Sequence, residues 1–224
     1  TDFTAGFAHS EIPHAEMQVA IVERLAAMGA ELGAKIVRVF TGYASDRAGW
    51  HAQRTRVIDA LRECGDRCAR HGLVVGVQNH HDIGVGYEEY VALMDEIGHE
   101  NVQAMFDAWS LSKQPGVDLR AAAKRMGAAT IQTTTGDYER FPQFRYDETL
   151  INYRPSPDAF RAVAMGRGVI DYRAFFRGLR EGGFAGYVCY EMCSPLRGGG
   201  SMENLDRTAR ESLAFIRKAM AGRP

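Results

Sequence analysis

Polar side chains that can transfer protons or hold a cation stand at or near the ends of four short apolar segments. These residues are Gln78, Asp107, Gln132 and Glu191. In the clearest case, the segment Tyr187–Tyr190 delivers one carboxylate, Glu191, to a loop that contains Pro195. Such a carboxylate is costly to bury unless it is paired or bound to a metal, but at the carboxyl end of a strand it can face a pocket. Glu191 is therefore the first candidate for chemistry, and a structural carboxylate paired with an arginine is the alternative.

Two adjacent histidines, His80 and His81, follow closely after Gln78. An imidazole changes its charge near neutral pH, so a histidine at a strand end can serve as a second acid–base group beside Glu191. The structural alternative is that the two rings hydrogen-bond the loop backbone or orient Gln78. The residue types alone leave both roles open.

Four further residues are candidates for substrate contacts. Arg38 lies in a strand-like segment and Arg197 in the glycine-rich loop after Glu191, and either guanidinium can grip a carboxylate or phosphate with two hydrogen bonds. For Arg38, the alternative is an ion pair with one of the candidate carboxylates. Trp109 and Tyr43 follow strand-like segments, where an aromatic face can stack on a sugar ring or serve only in packing.

The candidate residues are spaced along an alternation of strand-like and helix-like segments. Near-continuous apolar runs predict strands at 35–40, 73–79, 102–107, 129–133 and 187–191, and apolar residues at helical spacing predict helices at 16–33, 51–71, 87–97, 117–126, 171–181 and 202–220. The long segment with Pro142, Pro155 and Pro157 is too irregular for one element. We expect it to cover a site or an interface.

This alternation predicts an α/β fold with a parallel sheet covered by helices. A doubly wound open sheet and a barrel both satisfy the pattern. The polar residues favour the barrel, because side chains from the carboxyl ends of four strands share one pocket when the strands encircle it. In an open sheet, only strands beside a switch point would do so.

Several ordered motifs connect the chain to a known family. They include Asn79-His80, Phe106-Asp107, Gly166-Arg167-Gly168-Val169-Ile170-Asp171, and Gly182-Gly183-Phe184-Ala185-Gly186-Tyr187 before Glu191. Together they resemble the sugar isomerase and epimerase group with xylose isomerase-like TIM barrels, over nearly all of the chain. The resemblance implies a single (β/α)8 barrel domain, of which residues 1–224 carry the last five βα units. Five strands cannot close such a barrel, so three units are expected to precede them in a longer protein.

The resemblance also implies a metal site. In this family a divalent ion is held by Glu, Asp, His and Glu on successive strands, and the matching residues here are Gln78, Asp107, Gln132 and Glu191. Two amides and two carboxylates suit hard cations such as magnesium or manganese better than zinc. We predict manganese or magnesium, and the alternative is a polar pocket that has abandoned the metal.

The function that the resemblance implies is isomerisation or epimerisation of a sugar or keto-sugar. Epimerisation beside a carbonyl requires one group to remove a proton and another to return it from the opposite face. Because Gln78 cannot act as a base, Glu191 is expected to act alone or with His80 or His81. A keto-sugar lyase or dehydratase and an inert sugar-binding barrel are the alternatives.

Composition limits the partners of the protein. With 27 basic and 28 acidic residues, the chain has no strong field for nucleic acid or an anionic membrane. No apolar run approaches the roughly 20 residues that span a bilayer. The cysteines form the pairs Cys64/Cys68 and Cys189/Cys193, and we expect reduced thiols in a cytoplasmic enzyme. A homo-oligomer contact is one role for the proline-containing segment.

Overall fold

A six-stranded parallel sheet forms the centre of the molecule. The computed structural model describes residues 2–3, 7–8, 14–43, 48–80 and 82–222. In spatial order the strands are β1 (Asp2–Phe3), β2 (Ile36–Val39), β3 (Val74–Gln78), β4 (Val102–Met105), β5 (Thr130–Thr135) and β8 (Tyr187–Tyr190). Their pairing confirms the predicted parallel sheet, and β1 adds a short strand beside β2. The expectation that further units precede the chain stays a prediction.

The helices follow the strands as the apolar spacing predicted. They are α1 (His14–Glu31), α2 (Trp50–Ala69), α3 (Asp82–Val85), α4 (Tyr87–Ile97), α5 (Ala108–Ser112), α6 (Leu119–Met126), α7 (Tyr172–Glu181) and α8 (Met202–Met220). The predicted bounds of α4 and α8 are confirmed at both ends. The short helices α3 and α5 were not predicted, because a single turn is too short to show a helical period.

One face of the sheet is covered by helices. Val37, Val75, Val77 and Ala104 point into this layer and are fully buried in the core cluster. The alternate residues of the same strands, such as Arg38 and Gln78, point to the opposite face. The alternation therefore delivers polar side chains to the face that carries the candidate site.

The segment with the prolines forms a long antiparallel hairpin, so the prediction of an irregular segment was wrong. Its strands are β6 (Asp137–Asp147) and β7 (Asn152–Val163), and their register shifts between Phe141 and Gln143, at Pro142. A two-stranded ribbon leaves one edge of each strand unpaired, so prolines can occupy positions that need no donor. Proline composition alone does not show this.

The base of the hairpin is held by one carboxylate. Asp137 accepts hydrogen bonds from the backbone N–H groups of Gly166 (2.9 Å), Gly168 (2.8 Å) and Tyr138 (2.9 Å). A Cβ atom on Gly168 would overlap the Asp137 carboxylate. The glycine motif at 166–171 therefore has a structural role, which is to let the chain turn tightly around Asp137.

The four cysteines are free thiols, as predicted. Cys64 and Cys68 are buried in α2, and burial raises the pKa of both thiols, that of Cys68 to about 11. These two groups are therefore protonated packing residues at neutral pH. In the part of the chain that the structure describes, no helix combines the length and apolar character needed to cross a membrane.

Candidate active site

Glu191 and Arg38 form a fork-shaped ion pair beside the ends of two strands that are not neighbours. Arg38 Nη1 donates to Glu191 Oε2 and Arg38 Nη2 to Glu191 Oε1, both at 3.2 Å. Arg38 belongs to β2 and Glu191 follows β8, with three strands between them. In a flat sheet, that spacing would separate the two strands by about 19 Å, which is too far for these side chains to bridge. The sheet therefore curves as part of a barrel, with both residues on its inner side.

Asp107 lies at a second, buried corner of the same surface. It follows β4 and caps α5, where its Oδ1 accepts the N–H of Trp109 at 3.1 Å. Its Oδ2 accepts a hydrogen bond from Gln78 Nε2. Asn79 fixes the backbone of Asp107 in both directions, donating to its carbonyl at 3.1 Å and accepting from its N–H at 2.8 Å. Burial raises the pKa of Asp107 to about 6 although these donors oppose the shift, and the charge of Glu191 adds to it.

His80 lies beside the ion pair. The backbone N–H of His80 donates to the carbonyl of Gln78 at 3.0 Å. The imidazole ring of His80 packs edge to face against Phe40, with 5.5 Å between the ring centroids. Burial lowers the pKa of His80, the carboxylate of Glu191 opposes this shift, and Arg38 adds to it. The imidazole is therefore neutral at pH 7 and can accept a proton. The second predicted histidine, His81, lies outside the described residues.

Gln132 shares a register row with Gln78. Gln78 pairs with Met105 of β4, and Met105 pairs with Gln132 of β5, so the three side chains point to the same face of the sheet. Thr134 lies two residues further along β5, on that same face, and its buried hydroxyl has no hydrogen-bond partner among the described residues. The role of Gln132 in the site stays a prediction.

Trp109 links this surface to the hairpin. Its ring lies 4.2 Å from that of Tyr138 on β6 and 5.0 Å from that of Phe160 on β7, between centroids. Tyr138 in turn interacts with the thiol of Cys193, in the loop that follows Glu191. The hairpin thus forms one wall of the site. The sequence predicts that this segment covers a site or an interface, but it does not single out Phe160, whose place depends on the folding of the hairpin over α5.

Arg197 and Tyr43 are the two other residues that the sequence predicts to bind the substrate. Arg197 pairs with Glu139 of the hairpin at 3.1 Å and lines a separate cavity of about 410 Å³ with Arg167 and Arg207. No contact of Arg197 with Glu191 is found among the described residues, so the structure does not bring Arg197 to the candidate site. Tyr43 follows β2 with its side chain exposed. Its role in substrate binding stays a prediction.

The predicted ligand set does not fit a divalent cation in this arrangement. Both oxygens of Glu191 are engaged by a guanidinium, whose charge repels a cation. Both oxygens of Asp107 accept N–H groups, and Gln78 turns its N–H side toward Asp107. The described residues contain no group of three His, Cys, Asp or Glu side chains that could hold an ion. The buried Oε1 of Gln78, which has no hydrogen-bond partner among the described residues, remains one neutral ligand, and Gln132 offers at most one more; two neutral ligands are too few for a divalent cation.

Comparisons with known proteins agree on the fold. A family model described as a xylose isomerase-like TIM barrel matches residues 2–219. A D-psicose 3-epimerase solved with D-fructose is 18% identical, with a TM-score of 0.75, and the match covers 96% of this chain and 75% of that one. The 3-keto-D-glucoside 4-epimerase YcjR of E. coli is 19% identical, with a TM-score of 0.69 and coverages of 97% and 78%.

A third similar structure contains a metal. It is a xylose isomerase-like TIM barrel protein of Mycobacterium smegmatis in complex with magnesium, 17% identical, with a TM-score of 0.69 and coverages of 99% and 73%. No curated protein matches the sequence. At these identities the structural likeness shows the fold alone.

Proposed function

This chain belongs to the xylose isomerase-like TIM barrel family, and we propose that it is an isomerase or epimerase of a sugar or keto-sugar. The observation that carries the proposal is the convergence of Glu191, Arg38, His80 and Asp107 on the inner side of a curved parallel sheet. Two of the similar structures are sugar epimerases, which supports the substrate class. This surface combines a carboxylate, a neutral imidazole and a fixed positive charge, the groups that proton transfer beside a carbonyl requires.

Glu191 is the proposed base. Its carboxylate takes the proton from the carbon beside the substrate carbonyl, and the electrons of the broken C–H bond move to the carbonyl oxygen. Arg38 holds the Glu191 carboxylate through two hydrogen bonds, and its positive charge lies beside a substrate bound at Glu191, where it stabilises the oxygen on which negative charge develops. Arg38 is thus proposed to orient the base and to stabilise the enediolate.

His80 is the proposed second acid–base group. Its lowered pKa keeps the imidazole neutral, so it can remove the proton of one epimer. For the other epimer, Glu191 removes the proton, and His80 returns one that it first takes from solvent. If Glu191 instead returns the proton to the neighbouring carbon, the same surface performs an aldose–ketose isomerisation. The two reactions differ in whether the second group is required.

The positive charge beside Glu191 is assigned to the protein and not to an ion. The sequence predicted magnesium or manganese, and one similar structure holds magnesium. In this chain the guanidinium of Arg38 already neutralises Glu191, so the proposed reaction has no metal-dependent step. A cytoplasmic location and a homo-oligomeric state stay predictions of the sequence.

Solvent hydrogen exchange tests the proposed function. Wild-type protein is incubated in heavy water with a panel of neutral and acidic keto-sugars, and proton NMR follows the hydrogens on the carbons beside the carbonyl. We expect exchange with at least one sugar, and Glu191→Gln to slow it by about 10²–10⁴-fold while circular dichroism stays unchanged. Glu181→Gln is the matched control, because Glu181 pairs with Arg120 at 2.6 Å and plays no part in the site.

The alternatives give different results in the same experiment. Loss of water or of an aglycone from the sugar would identify a lyase or dehydratase. Binding without exchange for every sugar in the panel would identify an inert sugar-binding barrel. Full exchange by Glu191→Gln would reject the assigned base.

A further inference from the structure

A cavity of about 530 Å³ lies between the end of α5 and the hairpin. Its lining residues are Trp109, Ser112, Lys113, Arg140, Phe160 and Val169. The volume is in the range of pockets that hold small molecules. Two of the lining side chains are cationic, two are aromatic and none is acidic.

Lys113 is held in place by aromatic rings. Its ammonium lies 3.6 Å from the ring centroid of Trp109 and 4.6 Å from that of Phe160. Such contacts orient a cation through the negative face of the ring but leave N–H groups of the ammonium available to a ligand. Burial lowers the pKa of Lys113, and no ion pair involves it among the described residues. A bound anion would supply the missing negative partner.

Arg140 is the second cation of the cavity. It forms an ion pair with Asp158 on the facing strand of the hairpin, which holds its guanidinium beside the cavity. An ion pair through Nε leaves further N–H groups on the same guanidinium. Lys113 and Arg140 therefore present donors from two different elements to one space.

The cavity adjoins the proposed active site. Trp109, which forms its wall, donates its backbone N–H to the carboxylate of Asp107, the residue that caps α5. The five residues of α5 lie between Asp107 and Lys113, so the six residue steps correspond to a rise of roughly 9 Å. The ring of Tyr138 lies 4.2 Å from that of Trp109, between centroids, and Tyr138 interacts with Cys193, close to Glu191. In addition to burial, the charge of Lys113 helps to lower the pKa of His80, so this cation lies near the proposed active site.

We propose that Lys113 and Arg140 bind an anionic group of the substrate, a phosphate or a carboxylate, while the sugar packs on Trp109. The inference rests on the proposed function and narrows it, because it makes the substrate an acidic sugar derivative. Neutral sugars lack the group that these two cations bind. If Lys113 had only a structural role, its contacts with the rings of Trp109 and Phe160 would connect α5 to the hairpin, and its substitution would not change the relative affinities for acidic and neutral sugars.

Intrinsic fluorescence tests the proposal without any turnover. The sequence has two tryptophans, so Trp50→Phe leaves Trp109 as the only one. This protein is titrated at constant ionic strength with D-fructose 6-phosphate, D-gluconate, inorganic phosphate and D-fructose. We expect at least one acidic sugar to change the Trp109 emission and to bind at least tenfold more tightly than D-fructose. Lys113→Gln should weaken that binding at least tenfold and leave the affinity for D-fructose unchanged.

Lys124→Gln is the matched control, because Lys124 is exposed on α6. It should leave both affinities unchanged, and Lys113→Arg, which keeps the charge, should retain most of the acidic-sugar binding. Preference for D-fructose 6-phosphate identifies phosphate as the anion, and preference for D-gluconate identifies a carboxylate. Equal affinities for acidic and neutral sugars, or an unaffected Lys113→Gln variant, would overturn the proposal.

The two proposals fail separately. Exchange of neutral keto-sugars without any preference for acidic sugars would keep the isomerase and reject the anion site. Tight binding of acidic sugars without exchange at carbon would keep the anion site and reject the isomerase.

Discussion

The two carboxylates of the candidate site stand at comparable places in the fold but in opposite surroundings. Glu191 directly follows β8 and Asp107 lies two residues beyond the end of β4, both on the inner side of the curved sheet. Asp107 is 2% exposed and is bonded only to uncharged N–H groups. The side chain of Glu191 is 35% exposed and is bonded to the charged guanidinium of Arg38.

This difference indicates that the two groups do different work. Asp107 cannot leave its partners without stranding buried donors, including the amide of Gln78. Glu191 can exchange Arg38 for a substrate at small cost, because partly exposed ion pairs contribute only about 0–1 kcal/mol. Asp107 and its hydrogen-bond partners therefore keep the geometry of the site fixed, whereas Glu191 can change partners and take part in the reaction.

The largest expected difference between the corners is in stability. At pH 5, where the native Asp107 carboxyl is mostly protonated, Asp107→Ala should lower the free energy of unfolding by roughly 3–4 kcal/mol. The reasons are the lost cap of α5 and the unsatisfied Gln78 amide. Glu191→Ala should cost about 1 kcal/mol or less. Urea unfolding of the two variants measures both values, and equal losses would remove the distinction between the corners.

The second expected difference is in the pH dependence of stability. The native pKa of Asp107, about 6, lies above its ordinary value of 3.8. The contribution of this group is thus fully present below about pH 4 and is lost as the pH rises through 6. From pH 4 to 7 its loss should amount to on the order of 2–3 kcal/mol.

The conservative variant Asp107→Asn isolates this contribution. It cannot ionise, so the difference in unfolding free energy between wild type and Asp107→Asn should change across this pH range in favour of the variant. Glu191→Gln serves as the comparison and should lack this trend. Parallel pH profiles for wild type and Asp107→Asn would show that burial does not perturb this carboxyl.

The smallest expected effect concerns cations at the Glu191 corner. Arg38→Leu frees both oxygens of Glu191 and removes the repelling charge, so it should raise the affinity for Mn²⁺ at least tenfold, or about 1.4 kcal/mol. Electron paramagnetic resonance of free Mn²⁺ measures the binding. Arg197→Leu is the control, because Arg197 pairs with Glu139 in another cavity. A stoichiometric ion retained by purified wild-type protein would restore the predicted metal centre.

The pattern of residue types along the chain predicted correctly those features that depend only on neighbouring residues. The run of apolar residues before Glu191 predicts a strand that delivers a carboxylate, and an ion pair with Arg38 is one of the roles that the residue types allow. Pattern failed for the hairpin, where the prolines obscured a ladder that depends on pairing between distant residues. It also does not single out Thr134, whose place depends on the strand register.

The order of strands and helices and the polar residues at the strand ends can be read from the amino-acid sequence, because both follow from spacing along the chain. Which of these residues contact one another depends on the folded molecule. Arg38 and Glu191 are far apart in sequence and belong to strands that are not neighbours, so their contact depends on the curvature of the whole sheet. The placing of Lys113 between Trp109 and Phe160 likewise depends on how the hairpin folds over α5. Local spacing contains no information about such contacts, because packing between distant segments creates them.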